Sequence, residues 1–102
     1  MRRISPLSTR SEHVRLAVAD RELIALKARQ AAANPRKREI HCFHAADAAP
    51  LQRMLNALQP GTYVQPHRHL TPAKDEGFVL LAGRAGVAVF EEDGTLRDEN
   101  LV

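Results

Sequence analysis

Two histidines one residue apart, His67 and His69, are followed by Glu76, and glycines stand on either side at Gly61 and Gly83. In a β-strand, side chains at i and i+2 point to the same face. If the stretch TYVQPHRH is a strand, both imidazoles project together. If Glu76 opens the next antiparallel strand, its carboxylate approaches the same place. Two imidazoles and one carboxylate on one face of a cavity form a metal site with coordination positions left open. Imidazole with carboxylate suits a divalent ion such as Fe, Mn, Ni or Zn, and the residue types do not choose among them. The alternative for His67 and His69 is a pair of solvent-facing histidines beside a turn.

Two further residues are candidates for the pocket. His44 lies on the strand predicted over 38–44, near the hairpin carrying the histidine pair. It is either a core or surface histidine or a pocket residue that assists or replaces a ligand. Tyr63 precedes His67 by four residues and so shares its strand face, for packing or for donating its hydroxyl to the pocket. Cys42 is the only cysteine, so no disulfide forms within the chain. It reads as a small buried hydrophobe.

These residues need a scaffold. Asp20 is placed to N-cap a helix over RELIALKARQAAA, with Glu22 favourable in its first turn and Asn34-Pro35 ending it. Leu23, Ile24, Ala28 and Ala31 share its apolar face, with Arg21, Lys27 and Arg29 largely elsewhere. Residues 1–12 are polar and basic and read as a flexible arm, and 13–17 as a short edge strand. The cluster PRKR (35–38) reads as a solvated corner, or as a contact for an anion. Strands are predicted over 38–44, 51–58, 62–69, 77–83 and 84–92, with 51–58 and 62–69 forming a hairpin. Asp93-Gly94 is a strong hairpin signal, and TLRDENLV starts a returning strand. The expected class is mainly β, with residues 1–35 as an arm and helix and 36–102 as a β domain.

The 102 residues are enough for one small domain. The net charge of +3 invites a nucleic-acid reading. Residues 1–53 hold eleven Lys/Arg against five Asp/Glu, whereas residues 54–102 hold four against seven. The basic excess therefore lies outside the histidine stretch, and four aromatic residues offer little stacking for bases. No nucleic-acid partner is expected. No apolar run reaches the ~18 residues that would span a membrane. MRRISPLSTR lacks the apolar segment of a secretory signal. A cytoplasmic protein without membrane contact is expected.

The spacing of Gly61, His67, His69, Glu76 and Gly83 resembles the first signature motif of the cupin superfamily. That motif runs glycine, five residues, histidine, one residue, histidine, a short gap, glutamate, six residues, glycine. The gap before Glu76 is six residues here instead of the usual three or four, and the loop LTPAKD carries the excess. The wider run, LQRMLNALQPGTYVQPHRH into KDEGFVLLAG with PRKREIHCFH and the helix before it, resembles the WbuC-type cupin-fold metalloproteins over residues 20–96. The resemblance implies a jelly-roll barrel with His67, His69 and Glu76 as metal ligands. It also implies a sugar or sugar-nucleotide-like small molecule of bacterial surface-polysaccharide metabolism as substrate or ligand. The second cupin motif, with its further histidine, has no counterpart after Gly94. The expected fold is thus an antiparallel cupin-like barrel, incomplete at its C-terminal side, preceded by one helix. A truncated frame, a half-barrel completed by a second copy, and a reduced closed sandwich all fit that pattern. Exposed strand edges then favour a homo-oligomer, most simply a dimer. Function divides into a metal-dependent enzyme and a non-catalytic module that binds a small ligand or metal.

Overall fold

The computed structural model describes residues 1–12, 15–69 and 74–101. They form two compact units, Met1–Tyr63 and Val64–Val102. Secondary structure is mainly β, with two sheets and one helix.

The first unit carries β1 (Arg2–Ser5), β2 (Ser8–Arg10), α1 (Arg21–Ala33), β3 (Arg38–Cys42) and β4 (Met54–Leu58). The strands lie side by side in chain order. β1 and β2 form an antiparallel hairpin where a flexible arm was expected. Ser5 and Ser8 hold its turn through a 2.6 Å contact between their hydroxyls. β2 and β3 are parallel, with Thr9 opposite His41, and β3 and β4 are antiparallel. A parallel pair needs a long crossover, and α1 supplies it.

The helix begins and ends where the local chemistry requires. Asp20 accepts a hydrogen bond from the Leu23 N–H at 2.8 Å, satisfying one of the first-turn donors. Asn34 leaves helical geometry before Pro35, and its N–H still donates to Gln30 and Ala31 carbonyls. Lys37 takes a left-handed backbone (φ 58°) and returns its ammonium to the Ala32 carbonyl at 2.8 Å. That lysine of the basic cluster therefore caps the helix end.

α1 packs on β3 and β4. Ala31 and Cys42 are the buried hydrophobic residues among those described, while Thr9, Lys27, Glu39, His41 and His44 are buried as well. Lys27 is 1% exposed, although the helical pattern set it off the buried face. The helix–sheet interface is thus built around polar groups.

The second unit holds β5 (Gly86–Phe90) and β6 (Leu96–Leu101), an antiparallel pair joined by the expected Asp93-Gly94 turn. Asp93 accepts from the Thr95 N–H and hydroxyl, and Gly94 takes φ 89°, which a side chain would strain.

Three sequence expectations are corrected. Residues 62–69 and 77–83 are not strands, and β4 pairs with β3 instead of with 62–69. Residues 15–17 are not a strand, and His13 and Val14 lie outside the described residues. The sheets do not close into a barrel among the described residues, and β2/β3 is parallel in a fold expected to be antiparallel throughout. The physical reason is common to all three. β-type composition makes a strand only where a neighbouring backbone accepts its hydrogen bonds. Phe78 and Val79 are 68% and 82% exposed, with neither a ladder nor a covering layer.

Candidate functional site

The histidine stretch lies in the second unit, on extended backbone without strand pairing. His67 donates from Nδ1 to the Gln65 carbonyl at 2.8 Å, because a carbonyl can only accept. In the neutral ring that tautomer leaves the lone pair on Nε2. This is the arrangement in which a backbone acceptor fixes the tautomer of a ligating histidine. The His69 ring stands edge-on to His67, with centroids 5.6 Å apart and planes at 86°. His69 Nε2 lies 2.5 Å from Glu76 Oε1. The structure therefore sets His69 against both His67 and Glu76 even though no strand holds them. The wider gap before Glu76 does not prevent contact with His69. Its loop includes 70–73, which lie outside the described residues.

The neighbourhood is open. His69 is 40% and Glu76 65% exposed along their side chains. Arg68 projects between the two histidines in sequence and pairs with Glu92 at 2.9 Å, which holds that carboxyl below its usual range. The pair ties the histidine segment to the end of the β5–β6 turn. Sequence reading missed it, and only the alternation of Arg68 with His67 and His69 hinted that it faces away from them. Among the described residues, no three His, Cys, Asp or Glu side chains converge as a ready-made ion cage. The donor set of two imidazoles and a carboxylate nevertheless has the chemistry of a divalent-metal site.

His44 and Tyr63 belong to the first unit. His44 is buried, with Nδ1 against the Arg53 backbone, 3.1 Å from its carbonyl and 3.2 Å from its N–H. That places His44 as a fastener between the end of β3 and the residue before β4. Tyr63 is exposed.

A second cluster escaped the sequence reading. Lys27 donates to Thr9 Oγ1 at 2.6 Å and to Gln30 Oε1 at 2.7 Å, with Glu39 Oε1 3.8 Å away. Arg3 also pairs with Glu39. Thr9 Oγ1 contacts His41 Nδ1 at 2.7 Å, and His41 Nε2 contacts Ser11 Oγ at 2.8 Å. Phe43 packs edge-on against the His41 ring at 5.0 Å. Burial pushes the Lys27 ammonium below its usual value, and Glu39 pulls the other way. Burial, helped by Lys27, also pushes the His41 imidazole down, so it is held neutral. The available signal was period-2 alternation, which places Thr9 with Ser11 and Glu39 with His41 on common strand faces.

Among known proteins, residues 19–102 match the family described as a domain of unknown function, DUF6016. No curated protein sequence and no solved structure matches the chain. The match takes in α1, β3 to β6 and the whole histidine stretch, so the chain belongs to the DUF6016 family.

Proposed function

We propose that this protein is a metal-binding, cupin-like module for a small sugar or sugar-nucleotide-like ligand, with His67, His69 and Glu76 as the metal-holding residues. The observation that carries this reading is that His69 lies against both His67 and Glu76, while His67 turns Nδ1 to the Gln65 carbonyl and keeps Nε2 as its other ring nitrogen. The motif Gly61–His67–His69–Glu76–Gly83 supports the same assignment. A bound Fe, Mn, Ni or Zn ion would supply Lewis acidity toward a carbonyl or hydroxyl of the ligand. The chain's own part is orientation. Gln65 fixes the His67 tautomer, Glu76 fixes His69, and Arg68–Glu92 anchors the segment between them. The exposure of His69 and Glu76 favours a binding module over an enzyme, since substrate enclosure and water exclusion need a wall around the site.

Under this reading, self-association supplies the cover. Phe78, Val79 and Leu81 are exposed, and a two-stranded sheet such as β5–β6 is marginal alone. A second copy is the proposed partner, through these edges.

The test is metal content per chain after purification without a metal-affinity tag. The native sequence should retain a divalent ion, and His67→Ala/His69→Ala should lose it. Equal metal content in the two proteins would sink the assignment.

A further inference from the structure

The first unit carries a second binding feature, independent of the histidine stretch. Two cavities flank Ser11, of about 310 Å³ and about 290 Å³. Arg2 and Arg10 line the first; Leu16, Val18 and Leu23 line the second; Ser11 and Glu12 line both. Behind Ser11 stands the chain Lys27–Thr9–His41.

The direction of that chain follows from donor and acceptor capacity. Lys27 can only donate, so Thr9 Oγ1 accepts from it. Thr9 is buried, and its own proton has His41 Nδ1 as acceptor at 2.7 Å. Were Nδ1 protonated instead, the Thr9 hydroxyl proton would be buried without an acceptor among the described residues, at a cost of about 1–3 kcal/mol. Nδ1 therefore accepts, and the neutral ring carries its proton on Nε2. That proton is donated to Ser11 Oγ at 2.8 Å. Ser11 is left with its own O–H free to donate outward, polarised by three hydrogen bonds that all run from the buried ammonium.

A half-buried hydroxyl donor with Arg2 and Arg10 on one side suits an oxyanion. Arg10 is shared with the exposed Asp47 at 2.5 Å, and Glu12 lies 3.7 Å from the Met1 amino group, which offsets its charge. The apolar wall on the other side suits a short hydrocarbon. We propose that Ser11 heads a binding site for an amphipathic carboxylate, whose head group takes the Ser11 hydroxyl and the arginines and whose chain lies along Leu16, Val18 and Leu23.

The experiment is titration of the full chain with octanoate, octanol and inorganic phosphate, read by calorimetry. Octanoate should bind more tightly than either control. Ser11→Ala and, separately, Arg2→Gln should each weaken octanoate by about tenfold, the size of a hydrogen bond to a charged group. Because Ser11→Ala also removes a partner of His41, the His41 ring nitrogens of the wild-type protein provide a second readout. Their NMR signals should show Nε2 protonated and should shift with octanoate. Octanol binding as tightly as octanoate, phosphate binding as tightly as octanoate, or an unmoved His41 signal at saturation would each overturn the proposal.

Discussion

Thr9 Oγ1 lies 2.6 Å from Lys27 Nζ and 2.7 Å from His41 Nδ1, so one threonine hydroxyl joins a helix lysine to a strand histidine that it faces across a parallel pair. Thr9→Val keeps the shape and removes the hydroxyl. It leaves a buried ammonium short of an acceptor and a buried imidazole nitrogen short of a donor. The expected loss is about 2–4 kcal/mol, above the range for a single unsatisfied buried group because one partner is charged. Urea unfolding should show a lower midpoint with an unchanged slope. A midpoint within error of wild type would mean that the network contributes nothing to stability.

The same network sets an acid limit. His41 is held below its ordinary value of 6.5. The unfolded chain then binds a proton that the folded chain refuses, so stability is full above about 6.5 and falls as pH drops from there toward the folded value. Lys27, also depressed, acts with the same sign in the alkaline range, gaining stability as pH rises toward 10.5. Asp47, Glu92 and Asp93 are held low by Arg10, Arg68 and Thr95. Their contribution is present above ordinary carboxylate values and is lost only on stronger acidification. Urea midpoints measured from neutral pH downward should fall first near 6.5, and His41→Gln should remove that early step. An early step that persists in His41→Gln would assign it to another group.

Helix α1 is the element that local chemistry specifies most completely. Asp20→Ala removes the acceptor for the Leu23 N–H and should cost about 1 kcal/mol, while Asp20→Asn should cost only a few tenths. The two variants can be compared by thermal unfolding. Equal losses would show that the charge of Asp20, and not its capping oxygen, is what matters.

What could be read from sequence divides along the same line. The Asp20 cap, the Asn34-Pro35 stop and the Asp93-Gly94 turn are decided within a few residues, and each stands where the sequence places it. The strand at 77–83 was misjudged because its apolar composition says that the segment wants two covered faces, without saying whether this chain supplies them. Lys27 was misjudged for a related reason. Its burial depends on Thr9 and Glu39, eighteen residues before it and twelve after, and helical periodicity contains neither. For the histidine stretch, spacing indicated that His67, His69 and Glu76 would share one face, and the structure sets His69 against each of the other two. It did not indicate that these contacts would form on unpaired extended backbone, nor that the Gln65 carbonyl would accept from His67 Nδ1.

Glu76 is the proposed ligand whose spacing departs from the cupin pattern, so its variant is tested apart from those of the histidines. If it holds metal, Glu76→Gln should weaken affinity at least as much as loss of an outer-shell partner does, about 10–100-fold. If its role is only to pair with His69, the amide can still accept from the imidazole N–H and affinity should be almost unchanged. Competition with a chromophoric chelator distinguishes the two. A Gln variant as tight as wild type would remove Glu76 from the ligand set while leaving the histidines in it.

The exposed apolar residues of the second unit give the sharpest test of self-association. Phe78 and Val79 lie on unpaired extended backbone, where a second chain can supply both hydrogen bonds and apolar cover. Burying one phenylalanine contributes about 1.5–3 kcal/mol, so Phe78→Asp should weaken the proposed dimer by about tenfold or more. Substitution at Leu16, an exposed residue of the first unit, should leave association unchanged if these edges form the interface. Light scattering across a dilution series reads both variants. A wild-type protein that stays soluble and monomeric at every concentration would show that Phe78 needs no partner, and the open edges would then have to be tolerated by the single chain.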